Sequence, residues 1–154
     1  MNRPQEAPRA FAAAWNAHDM AAFAALFHGD ASFVNRFGHY VRGVDEIVAM
    51  HRPIHETIYR ESTLANELID LTAIGDAVAI GHFWSRLTVG AAHPAGPHSI
   101  DTLILAVLTR RDGSGASRRW RMSPSPTRVQ ASRCCEGRDY IFQGHRRQFY
   151  SGGI

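Results

Sequence analysis

From Ser62 to Thr109 the chain reads as extended strand with only two interruptions, and that run constrains the fold more than any other feature. Ser62–Ile74 meets Ala77–Val89 across Gly75-Asp76, a dipeptide that closes a hairpin between apolar runs. Residues 90–98, Gly-Ala-Ala-His-Pro-Ala-Gly-Pro-His, read as a loop by composition, and Ile100–Thr109 is a strongly apolar strand. Arg111-Asp112-Gly113-Ser114-Gly115 is a further turn, leading to Trp120-Arg121-Met122. Three long antiparallel strands follow, and the sheet they make needs a cover on its apolar face.

The upstream segments supply that cover. Residues 8–18 read as a helix with Phe11, Trp15 and His18 on one face. Asp19 can cap a second helix whose stripe is Met20, Phe23, Leu26 and Phe27, ended by Gly29-Asp30. The period then changes. Ala31, Phe33, Asn35 and Phe37 share one strand face, and Ser32, Val34 and Arg36 share the other. Gly38-His39 turns into a short strand, Tyr40–Arg42. Gly43 and Asp45 open a third helix with Ile47, Met50, His51, Ile54 and Ile58 on its stripe, which Pro53 should kink or shorten. Helices before a run of strands argue an α+β fold: a curved antiparallel sheet against three N-terminal helices, with a pocket between the layers.

Composition narrows the class. In 154 residues, 45% are hydrophobic and 20% charged, enough for one domain with a real core and against disorder. No apolar run reaches the roughly 18 residues of a membrane span. The Ala-rich N-terminus, interrupted by His18 and Asp19, reads as amphipathic helix rather than signal peptide, so a cytoplasmic location is expected. Cys134 and Cys135 are adjacent and make neither a loop-closing disulfide nor a zinc motif. All 17 basic residues are Arg, which excludes a Schiff-base lysine. Residues 1–109 carry 7 Arg against 11 acids and residues 110–154 carry 10 Arg against 3, so net charge runs from −4 to +7. An Arg-rich end is either a solvated surface or a docking site for an acidic partner, with nucleic acid the less expected occupant.

The order Trp15-Asn16-Ala17-His18-Asp19, Leu26-Phe27, Asp30-Ala31-Ser32-Phe33, Gly38 and Gly43 resembles the nuclear-transport-factor-2-like superfamily, and within it the SgcJ/EcaC-like and SnoaL-like groups, some of them from polyketide pathways. The resemblance covers roughly residues 8–123. It implies a cone-shaped α+β fold, a deep pocket and a homodimer. Residues 1–127 would then form the domain and residues 128–154 an atypical Arg-rich tail, because Trp120-Arg121-Met122-Ser123-Pro124-Ser125-Pro126-Thr127 departs from the usual final strand and its two prolines should stop that strand early.

Ketosteroid isomerases and SnoaL-like cyclases move a proton next to a carbonyl, using a carboxylate base opposite a hydrogen-bond donor. The resemblance places Asn35 at the base, where an amide cannot accept the proton, and Phe11 at the oxyanion-binding tyrosine, where the hydroxyl is missing. It places Asp101 at the acidic donor. In an apolar strand Asp101 is either a buried acid or base or a strand-end carboxylate facing water. His51 and His55, four residues apart, read as a polar contact or proton carrier in the pocket, as hydrogen-bonded core, or more remotely as metal ligands lacking a third. Trp15, Phe33, Phe37 and Trp84 are candidates for an aromatic wall, with Tyr40 and His39 near its mouth.

Asp101 and His51 are thus the candidate catalytic residues, and Trp15, Asn35, Phe37, Tyr40, His55 and Trp84 the candidate ligand contacts, with no metal or cofactor expected. Three functions remain open. One is a binding protein for a polyketide-like or polycyclic aromatic molecule. Another is a cyclase or isomerase acting through Asp101. The third is an interaction module using its Arg-rich tail.

Overall fold

The computed structural model describes residues 1–111 and 119–122, and in it three helices pack against a curved antiparallel sheet of four strands. The helices are α1 (Ala7–Asn16), α2 (Met20–Ala24) and α3 (Val44–Glu56), with a 3-10 turn at Pro4–Glu6 ahead of α1. Between α2 and α3, β1 (Ser32–Val34) and β2 (Tyr40–Arg42) form a small hairpin. The main sheet runs in sequence order: β3 (Thr63–Ile74), β4 (Val78–Val89), β5 (His98–Arg110) and β6 (Trp120–Met122). None of the described helices is long and apolar enough to cross a membrane.

Local signals explain these elements. The Asp19 carboxylate accepts from the Ala21 and Ala22 amides, both at 2.9 Å, and so starts α2 where the sequence places it. Gly43 begins α3 with φ of 93°, a backbone state that favours glycine, while its N–H donates to the Ala31 carbonyl at 2.7 Å. Pro53 lies inside α3, which runs on for three residues to Glu56. The Thr57 hydroxyl then donates to the Pro53 carbonyl, and the Tyr59 amide to that of Ile54.

The long hairpin turns at Gly75 (φ 63°), pairing Ile74 with Val78. One irregularity, between Leu68 and Asp70, interrupts its register. The expected strand Ala31–Phe37 is shorter than its pattern: β1 stops at Val34 because the chain turns around Asn35.

Strand parity decides what the helices cover. Ala79, Phe83, Ser85, Leu87 and Val89 of β4 are buried, and their register partners on β5 include Ile100, Thr102 and Leu108. The same core takes in Phe11, Trp15, Phe23, Ile47 and Leu64. The opposite face carries Val78, Ile80, His82, Trp84 and Arg86 of β4 beside Asp101, Leu103, Leu105 and Val107 of β5, mostly half-buried.

Two ties fix the helices to the sheet. The Asn16 carboxamide donates to the Leu64 carbonyl (3.0 Å) and accepts from the Leu64 amide (2.6 Å). β6 is held by the Trp120 amide on the Met1 carbonyl and the Met122 amide on that of Leu26. Pro124, Pro126 and the tail 128–154, where the sequence departs from the family pattern, lie outside the described residues.

Candidate functional site

A cleft of about 90 Å³ opens between the helices and the concave sheet face. Its deep wall is apolar: Phe11 and Trp15 from α1, Phe33 from β1, Leu87 from β4, and Ile100 and Ile104 from β5. Ser85 and Thr102, directly paired across β4 and β5, add two buried hydroxyl side chains. The β1–β2 turn adds Asn35, Arg36 and Phe37 to the lining.

That turn is organised by Asn35. Its Oδ1 accepts from the Phe37 and His39 amides, both at 2.9 Å, and the Gly38 amide closes on its carbonyl. Side-chain hydrogen bonds of this kind replace strand pairing with a tight turn. Asn35 therefore lines the cleft with its carboxamide oxygen already engaged. The turn also breaks strand alternation, so Asn35, Arg36 and Phe37 all reach the cleft. Phe37 is 67% exposed, and the Arg36 guanidinium carbon sits 4.6 Å from its ring centre.

Arg36 is the one lining residue that is always charged among those described. Its Nε and Nη1 are buried and have no hydrogen-bond partner among the described residues. Sequence alternation puts Arg36 on the face opposite Phe33, so it is not a candidate there. The missed signal is local: an Asn-Arg-Phe-Gly tetrad is turn chemistry, and within a turn the alternation rule lapses.

His51 lines the cleft, ringed by Trp15, Phe23 and Phe33 at centroid distances of 6.1, 4.7 and 4.9 Å. Its Nδ1 lies 2.7 Å from the Ile47 carbonyl. A carbonyl only accepts, so Nδ1 carries the proton and, in the neutral ring, Nε2 is the basic nitrogen. One turn on, His55 lies behind the wall rather than in it, 4.2 Å from Trp15 between ring centroids. Its Nδ1 is 2.8 Å from His18 Nδ1, a contact set up by the left-handed backbone of His18 (φ 50°). Burial, reinforced by the neighbouring His18 and then His51, pulls the His55 pKa down to about 4.

The structure thus brings Trp15, Asn35, Phe37 and His51 together in the cleft wall. It does not bring in Asp101, Trp84 or Tyr40. Asp101 and Trp84 have the parity of the opposite sheet face, where Arg86 grips Asp101 with two hydrogen bonds of 2.8 and 2.9 Å. Tyr40 is 61% exposed on β2. No lining side chain among the described residues is a carboxylate.

Residues 9–120 match the family described as the SnoaL-like domain. No curated protein matches the chain. Solved structures with this architecture include an uncharacterized protein with a cystatin-like fold from Caulobacter vibrioides, 25% identical over 77% of this chain and 80% of that one, with a TM-score of 0.61. A ketosteroid isomerase-like protein from Erwinia carotovora atroseptica is 17% identical, covering 78% of this chain and 88% of that one, with a TM-score of 0.65. A hexachlorocyclohexane dehydrochlorinase is 15% identical, covering 78% of each chain, also with a TM-score of 0.65. At these identities the last two likenesses show the fold alone.

Proposed function

The chain belongs to the SnoaL-like domain family of the nuclear-transport-factor-2-like superfamily, and from that membership we propose that it binds a small planar molecule in the cleft beneath the β1–β2 turn. The family and fold point to a small-molecule binder or an isomerase-type protein. The observation that carries the binding reading is the composition of the wall: aromatic and aliphatic, with a few polar groups and no described carboxylate to act as base. A volume of about 90 Å³ suits a single ring better than the fused polycycle expected from sequence.

A thermal-shift panel of one-ring and two-ring aromatics tests this. Several members should raise the melting temperature of the wild type and of Asp101→Asn alike, since Asp101 stands on the other face. Ser85→Leu, which fills the cleft, should abolish the shift. No stabilisation by any member would refute the reading.

His51 favours a second reading, an enzyme moving a proton through Nε2, because the Ile47 carbonyl fixes that nitrogen as the base. Loss of turnover in His51→Gln with ligand binding retained would separate it from the first.

Two chains are proposed to associate through the outer sheet face. Val78, Ile80, Trp84, Leu103, Leu105 and Val107 form a contiguous apolar surface there, flanked by the Arg86–Asp101 pair. Trp84→Glu should convert a dimer to a monomer in size-exclusion chromatography with light scattering. A monomeric wild type would refute the association.

A further inference from the structure

We propose that Arg36 is the anion-recognising residue of the cleft and that the ligand is a small aromatic carboxylate, an inference that rests on the binding reading and narrows it to one chemical class. The observation is an imbalance of charge. Arg3, Arg60, Arg86 and Arg111, with side chains between 47% and 77% exposed, each pair with a carboxylate although water would solvate them. Arg36, with Nε and Nη1 sealed from solvent, has no acidic partner among the described residues.

Two buried guanidinium nitrogens whose N–H groups lack acceptors are expensive, and proteins rarely keep such a cation unless something neutralises it. The Phe37 ring under the guanidinium stabilises the charge in part, but a π face accepts neither N–H in a directed hydrogen bond of full strength.

The remaining chemistry selects the class. Arg36 lines the same cleft as the apolar side chains of Phe11, Trp15, Phe33 and Ile104. A ligand that meets both needs an anionic group at one end and a flat hydrocarbon body at the other. An aryl carboxylate is planar throughout, and its oxygens match guanidinium donors in charge and spacing. A phosphate monoester is tetrahedral rather than planar and carries more negative charge than one guanidinium neutralises.

Among the described residues the Arg36 guanidinium meets only the Phe37 ring, itself mostly solvent-exposed.

The test compares benzoate with benzamide, equal in shape and different in charge, by chemical-shift titration of the isotope-labelled full chain. Benzoate should bind the wild type about tenfold more tightly or better. Arg36→Gln should erase that preference, so that benzoate and benzamide bind it equally, and Arg36→Lys should retain part of it. Equal affinities on the wild type would overturn the inference and leave the cleft as a neutral-ligand site. A preference that survives Arg36→Gln would overturn Arg36 as its source. If neither compound binds, the binding reading falls and takes this inference with it. The wild-type comparison stands whether or not a variant folds.

Discussion

Replacing Trp15 with alanine is expected to cost about 3–5 kcal/mol of stability and to abolish ligand binding. Trp15 is 6% exposed and stands where α1, α3 and the start of β3 meet. Its ring contacts Phe11, His51, His55 and Tyr59. Its Nε1 donates to the Ser62 hydroxyl at 3.0 Å, and that hydroxyl in turn donates to the Tyr59 carbonyl. Truncation removes the indole from the cleft wall and leaves a hole that the surrounding rings cannot close without moving helices. Trp15→Phe should cost less, about 1–2 kcal/mol, mainly the lost hydrogen bond and the smaller ring. Urea denaturation followed by circular dichroism measures both. A loss below about 1 kcal/mol for the alanine variant would mean that the cleft collapses freely and that Trp15 does not shape it.

Acid should unfold the protein through His55. Its pKa falls from an ordinary 6.5 to about 4 in the fold, so the unfolded chain binds the proton first. Stability is complete above pH 6.5, erodes as the pH falls toward 4, and the loss levels off below that value. The full loss from this residue is about 3 kcal/mol. The groups facing His55 point the same way: the neighbouring His18 and His51 disfavour a positive charge on it, and Trp15 packs against its ring. Among the described residues no acceptor meets the buried His55 Nε2 to stabilise an imidazolium. His55→Gln should flatten the stability profile between pH 6.5 and 4 in urea melts. An unchanged slope would assign the acid sensitivity elsewhere, with His28, which burial also pulls below its usual value, the next residue to vary.

Where chemistry was local, the sequence predicted the element. Asp19 capped its helix, Gly75-Asp76 turned the hairpin, and Tyr40–Arg42 formed a strand with those bounds. Where two elements had to agree, it did not. Alternation along β4 and β5 sorts Trp84 with Arg86 and Asp101 with Leu103, but it is symmetric: nothing in the strands themselves says which set the helices cover. That is why Asp101 and Trp84 looked like site residues and stand on the opposite face. Arg36 failed for a different reason. Its placement follows from the two amide hydrogen bonds that Asn35 makes, which end β1 two residues before the arginine. Four of the sequence's candidate residues nevertheless meet in the cleft wall, because Trp15 and His51 lie on helical stripes whose buried side was unambiguous and Asn35 and Phe37 sit in the turn above them.

The Asn16 carboxamide has a consequence beyond tying α1 down. β3 is a free edge of the main sheet, and a long edge strand exposes a row of N–H and C=O groups on which another chain can nucleate, the first step toward fibrillar aggregation. By taking both backbone groups of Leu64, Asn16 acts as a strand one residue long, and the Asn66 side chain bonds outward to the Pro8 carbonyl beside it. The register break between Leu68 and Asp70 then spoils the straightness of what is left. The start of this edge is thereby closed to strand pairing with a second chain.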